Sequence, residues 1–408
     1  MERDMKAEKK DREKGKAIWY LPQILYAFAG TFLCVLAGLL LEMDASELLQ
    51  TGCFSFLGLA MLGLAVRLRF PYDAKLRKAS RRRLSRFWIA VWIALALALI
   101  SAFLPNMTWP FLPIFVVLGL YGTPFLGLLG GAVLLTVPVL LSGGGAGVFF
   151  LYFISGAFGL VIFLPLKKEA KILLPMILSL VCLFVCEIGG IILTLNAELS
   201  FMQFLLPAAN VILSAVLLLA GVQQYAVKEL YPYRDLYLYL NDTEHPKLAA
   251  LRSSDRKAYM QSIHTAYFCE RIGSVLGLDT DVLKCVGYYH RLTPLRDPER
   301  EAFFDEMNFT VPVRDTLIEF SEYALSKSRQ PIRSKMTAIL LCSQTMITTV
   351  LNLYEKGETQ VDAALLVQRI FQRFEEHQVF ASSDLTIHEY AEMKKVFERE
   401  KLYYDFLH

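Results

Sequence analysis

Between residues 18 and 224 the chain is a succession of uncharged apolar runs of about twenty residues, the length at which an α-helix crosses the hydrocarbon core of a bilayer. No other feature restricts the fold as much. A backbone that enters lipid must satisfy its own polar groups, and runs of this kind do so as helices. The remainder, 225–408, reads as ordinary soluble sequence. Charge follows the same division. Residues 1–224 hold 19 Lys and Arg against 12 Asp and Glu, a net of +7, whereas 225–408 hold 23 against 27, a net of −4. A mildly acidic soluble half argues against a nucleic-acid partner.

The first 17 residues mix seven basic with five acidic side chains and read as a cytosolic tail too poor in apolar residues to fold. The run from Ile18 to Leu41 is too long for a signal-peptide core and lacks a small-residue cleavage site, so a retained membrane helix is expected. An acidic connector, Glu42–Glu47, leads to a second span, Gly52–Leu68. From Arg67 to Arg86 there are nine Lys and Arg against one Asp, which marks the cytoplasmic side and suits contact with anionic lipid. A third span, Phe87–Leu104, ends at an outside turn containing Pro105 and Pro110. Lys167, Lys168 and Lys171 mark the next cytoplasmic loop, so an odd number of crossings must separate it from that turn. Three short spans, broken near Tyr121–Pro124 and at Ser142–Gly145, fit 111–165 better than one. The last two spans, Ile172–Leu195 and Phe201–Val222, flank an outer loop, Asn196–Ser200. The expectation is a transmembrane bundle of about eight helices over 18–224, in contact with the lipid bilayer, with both termini cytosolic.

One charge, Glu187, lies within a span. Charge is costly there, so the residue is either functional, in signal or ion sensing, or structural, held near an interface or protonated beside Gly189 and Gly190. Asn210 is a candidate partner across helices.

The second half shows no convincing period-two alternation, so it is expected to be all-α. A helical stalk over 225–239 continues the last span. Asn241-Asp242 forms a turn, and helices follow near 256–276, 281–290, 312–328, 333–356 and 360–378, with a loop around Pro294 and Pro298. Thr386 and Glu389 have capping-box spacing, in which each side chain satisfies the other's free backbone donor. The seven cysteines, at 34, 53, 182, 186, 269, 285 and 342, lack zinc-site spacing with histidines and read as reduced, mostly buried thiols.

Three stretches carry a family resemblance: LNDTEHPKLAALRSSDRKAYMQS from Leu240, GLDTDVLKCVGYYH from Gly277, and SKMTAILLCSQT with the closing QVFASSDLTIHEYAEMKKVFE. With the membrane pattern, the chain resembles the bacterial membrane-bound HD phosphohydrolases. These carry about seven transmembrane helices before a cytoplasmic HD domain and hydrolyse the second messenger cyclic di-AMP. The resemblance implies a bacterial cytoplasmic membrane and an HD-like domain over 240–408.

It also implies a degenerate member. The large extracytoplasmic domain between the first two spans is replaced by Glu42–Thr51. Gln261 stands where the first metal-binding His is expected. His290 matches the His of the His-Asp pair, but Arg291 replaces the Asp, and Gln344 replaces a late Asp. No His occurs from 291 to 376. His264, three residues after Gln261, is the one candidate for a shifted ligand. A hydrolytic metal centre needs several His or carboxylate ligands and an open position for water. Gln is a weak neutral ligand, and Arg291 brings a fixed positive charge. No metal or other cofactor is therefore expected, and no catalytic residue is assigned. The leading expectation is an inactive relative that binds a related active membrane enzyme, or a nucleotide second messenger held by Arg291 with Arg252, Arg256 and Lys257. The alternatives are a metal-dependent phosphohydrolase with a non-standard site, and a transporter or channel built on the bundle around Glu187.

Overall fold

The computed structural model describes residues 25–69, 77–167, 172–194, 201–325, 331–356 and 362–400. Among them all regular structure is helical, with no strand. The chain divides into two compact units, Met1–Tyr231 and Pro232–His408. The tail 1–17, residues 70–76 of the basic run, Lys168, Lys171 and the loop Asn196–Ser200 lie outside the described residues.

The first unit contains α1 (Leu25–Leu40), α2 (Ala45–Arg69), α3 (Arg77–Ser101), α4 (Phe111–Tyr121), α5 (Pro124–Leu141), α6 (Ala146–Phe163), α7 (Leu173–Thr194) and α8 (Leu205–Tyr225), followed by a π-helical turn, Ala226–Leu230. Seven helices of the chain are long and apolar enough to cross a membrane, and six of these start in this unit, α2, α3, α5, α6, α7 and α8. The protein is thus an integral membrane protein with a helical bundle. The helix breaks fall at the two expected places. At the first, Thr123 accepts from the Leu126 N–H and Pro124 opens α5. At the second, Gly143 takes φ +64°, a backbone region closed to most side chains.

The bundle departs from expectation just before α4, itself one of the expected short spans. Its 11 residues span about 16 Å, half the hydrocarbon core of about 30 Å. The missing part is supplied by the segment before it. Trp109 and Phe111 are fully buried, so the turn expected outside reaches into the protein. All of α4 except Val117 is buried. Its neighbours make room with glycine: a Cβ on Gly131 of α5 or Gly156 of α6 would lie within 2.6 Å of the Phe115 ring, and one on Gly159 would lie 2.3 Å from Leu112. Small residues let membrane helices approach closely, and packing there replaces the hydrophobic drive available in water.

The second unit contains α9 (Tyr231–Leu240, whose first residue belongs to the first unit), α10 (Pro246–Ser254), α11 (Arg256–Val275), α12 (Thr280–Tyr289), α13 (Glu299–Glu306), α14 (Val311–Leu325), α15 (Lys335–Glu355), α16 (Ala363–Glu376) and α17 (Ile387–Arg399). Side-chain caps start most of them. Asp255, Asp279, Ser334 and Asp362 each accept from a first-turn N–H, and Thr386 with Glu389 forms the full capping box. The Pro298 loop holds a short helix, α13, which periodicity does not reveal. The seventh long apolar helix is α15. It buries Ile339, Cys342, Met346, Ile347 and Val350 in the core of this unit, so protein absorbs its apolar length. All seven cysteines are free thiols: Cys34, Cys269, Cys285 and Cys342 are buried, Cys182 and Cys186 half-buried and Cys53 exposed.

Two glycines fix how closely helices cross. A Cβ on Gly127 would meet the Gly119 backbone at 2.6 Å, and one on Gly287 would meet the Ala266 backbone at 2.4 Å. A backbone obstacle cannot swing aside, so Gly127→Ala and Gly287→Ala should each lower stability by about 1–3 kcal/mol. Gly189, in mid-helix with nothing within 4 Å of an added Cβ, should accept Ala with a gain of up to about 1 kcal/mol. Thermal unfolding of the detergent-solubilised chain checks the contrast.

Candidate functional site

The motif from Gln261 to Pro294 forms two helices and the turn between them. Gly277 ends α11 in the left-handed conformation, φ +65°, and the Leu278 N–H reaches back to the Gly273 carbonyl at 2.9 Å. This is a Schellman C-cap. Asp279 then caps α12 through the Val282 N–H. The Gly-Leu-Asp signature is thereby explained by helix termination and initiation alone. His245-Pro246 has a similar account: the His245 Nδ1 accepts from the Lys247 N–H, and Pro246 opens α10.

Where α11 and α12 cross, the structure brings three expected site residues to one region. Gln261 is 2% exposed, and its Oε1 accepts a hydrogen bond from the guanidinium of Arg291. Arg291 is itself exposed, so one edge of its fork is anchored and the other faces solvent. His290 is 6% exposed. Its Nδ1–H donates to the Gly287 carbonyl at 2.7 Å, and its ring meets Phe320 edge-on. His290 Nε2 is buried without a hydrogen-bond partner, as are Ser262 Oγ and Thr265 Oγ1 on α11. Burial lowers the His290 pKa to about 4, with Arg291 adding to the effect. Burial alone lowers His264 to about 4.

Three of the other expected residues are engaged with other partners. Gln344, on α15, donates to Thr348 within its own helix. Arg252 makes a two-pronged ion pair with Glu244, and Lys257 pairs with Glu355 and Asn352. Arg256 is exposed at the start of α11.

These side chains do not fit a hydrolytic metal. Gln261 is committed to a cation, Gln344 to a hydroxyl, and the set contains no carboxylate. Among the described residues no group of three or more His, Cys, Asp and Glu is gathered to hold an ion. The arrangement can instead present a positioned guanidinium to an anion.

The first unit holds a second polar site. Tyr152 on α6, Glu187 on α7 and Asn210 on α8 are each 0% exposed. They lie five to seven residues inside their helix ends, about 8–10 Å deep. Glu187 Oε1 accepts from Asn210 Nδ2 and lies 3.2 Å from Tyr152 Oη. Asn210 Nδ2 also donates to the Trp109 carbonyl at 3.1 Å, and Tyr152 Oη donates to the Asn106 carbonyl at 2.7 Å while accepting the Trp109 N–H. The Trp109 and Tyr152 rings stack at 5.6 Å. Asn210 is therefore the partner of Glu187, as its position suggests. Tyr152 and the Asn106–Trp109 backbone are found only in the structure, because a tyrosine in an apolar run gives no signal of its own. The cluster caps backbone groups that no helix satisfies, which gives Glu187 a structural role; its Oε2 is buried without a partner.

Comparison with known protein families, with curated proteins and with solved structures finds no match.

Two outcomes are expected. Between pH 6.5 and about 4 the unfolded chain takes up protons that His290 and His264 do not accept in the folded state. Stability is therefore full above pH 6.5 and falls as pH drops through this window, by up to about 1.4 kcal/mol per pH unit for each histidine. His290→Gln should flatten the profile measured by chemical denaturation. In the first unit, Glu187→Leu should cost about 1–3 kcal/mol, since the buried Asn210 amide loses an acceptor. Glu187→Gln, which keeps a carbonyl oxygen, should cost less in the same unfolding measurement.

Proposed function

We propose that this is a membrane-anchored regulatory protein whose second unit is an HD-like domain that binds without hydrolysis. On this reading the membrane is a bacterial cytoplasmic membrane, the basic run and both termini lie in the cytosol, and the ligand is a nucleotide second messenger of the cyclic di-AMP kind. One observation carries the proposal: the Arg291 guanidinium bonds to the Gln261 carbonyl oxygen. In the family that the sequence resembles, metal ligands occupy these two positions. A cation fixed there replaces part of the metal's charge but supplies no activated water. Gln261 holds the guanidinium in place, and its outer N–H groups can take two oxygens of a phosphodiester in parallel.

The test uses the full chain in lipid nanodiscs. Metal content is read by elemental mass spectrometry, cyclic di-AMP hydrolysis by chromatography and binding by calorimetry. Expected are no stoichiometric divalent metal, no turnover, and saturable binding that weakens about tenfold or more in Arg291→Ala, in line with about 1.5–3 kcal/mol for a hydrogen bond to a charged group. Bound metal with turnover would return the domain to the phosphohydrolases with a non-standard site. Neither turnover nor nucleotide binding would shift the ligand to a protein, and co-purification with a related membrane enzyme would then identify it.

A further inference from the structure

In the first unit, α3 and α8 both pack on α4, and between them they leave a trough of about 380 Å³. Its floor is α4, including Val117, the one residue of that helix that is not buried. The walls are carved by small side chains at facing positions, Ala90 and Ala94 on α3 and Ala220 and Gly221 on α8. Gly221 is needed for this geometry, since a Cβ there would meet Val117 at 2.5 Å. Along α3 the lining runs from Arg86 to Leu97, 12 residues whose Cα atoms span about 16 Å.

The chemistry of the trough is graded along this length. From the Leu97 end it is walled by hydrocarbon, and at the other end stand Arg86, Gln224 and Lys228. The cationic end is built by the π turn. Pro232, four residues after Lys228, has no N–H to give the Lys228 carbonyl. Arg86 Nη1 donates to that carbonyl at 2.6 Å and to Glu229 at 2.7 Å. Glu229 thus offsets the charge of Arg86. Lys228 is exposed and makes no ion pair among the described residues. Arg86, on α3, is the last residue of the basic run that begins at Arg67 in the sequence.

We propose that this trough is a binding site for one anionic glycerophospholipid, with an acyl chain lying along α4 and the head-group phosphate held by Lys228 beside Arg86. Apolar walls with a single cationic mouth complement an amphiphile of that charge, and basic pockets between membrane helices are suited to anionic head groups. The inference rests on the membrane bundle and not on the function proposed for the second unit.

The experiment is native mass spectrometry of the full chain from mixed micelles holding equal amounts of phosphatidylglycerol and phosphatidylcholine. Wild type should retain one phosphatidylglycerol at least fivefold over phosphatidylcholine. Lys228→Gln should bring the two towards parity. Ala220→Trp should fill the trough and abolish retention, and Ala90→Leu serves the same purpose if the Trp variant does not fold. Ile212→Trp, on an exposed face of α8 that does not line the trough, should retain lipid as wild type does. Equal retention of both lipids by wild type overturns the proposal. So does undiminished phosphatidylglycerol in the trough-filling variants, which would place the lipid on the basic run instead.

Discussion

Lipid offers a backbone no hydrogen bonds, and much of the first unit is arranged around the segment just before α4, where the α-helical pattern is broken. The segment before α4 brings the Asn106 and Trp109 main chain inside the bundle. Unpaired groups there would cost several kcal/mol each. Tyr152 and Asn210 satisfy them, and Glu187 takes the second amide N–H of Asn210 beside the Tyr152 hydroxyl. The intramembrane carboxylate is thus the third member of a capping cluster. Once the outer part of the span is irregular, α4 can be short. Being short and buried, it needs close neighbours, which Gly131, Gly156 and Gly159 permit. The trough between α3 and α8 follows from the same layout, because both helices lean on α4 and their facing small residues leave the space above it open.

Much of this was legible in the sequence, for reasons that can be named. Helix ends with side-chain caps are local, so the Gly277–Asp279 turn and the Thr386–Glu389 box could be read directly. Run length gave the long spans and the two breaks at Tyr121–Pro124 and Ser142–Gly145. The burial of the segment before α4 was not legible, because Pro105 and Pro110 read as a turn outside the bundle. Asn210 could be suggested as the partner of Glu187, since few polar residues share the bundle. Tyr152 could not, because the same side chain packs equally well as an aromatic. The helix α13 was missed because Pro298 and a mixed charge pattern read as loop.

The link between Gln261 and Arg291 depends on the register of two helices, which a single sequence does not supply. What sets that register is the close crossing at Gly287, where α12 lies against the Ala266 backbone of α11, together with the buried Phe268, Cys269, Ile272, Leu283 and Val286. None of these contacts needs a metal. Apolar packing and the Gln261–Arg291 bond join α11 and α12 directly, so their register is set by side chains and backbone alone. His290 belongs to the same contact: it is buried, its Nδ1–H is spent on the Gly287 carbonyl, burial holds its pKa low, and it serves the packing of α12.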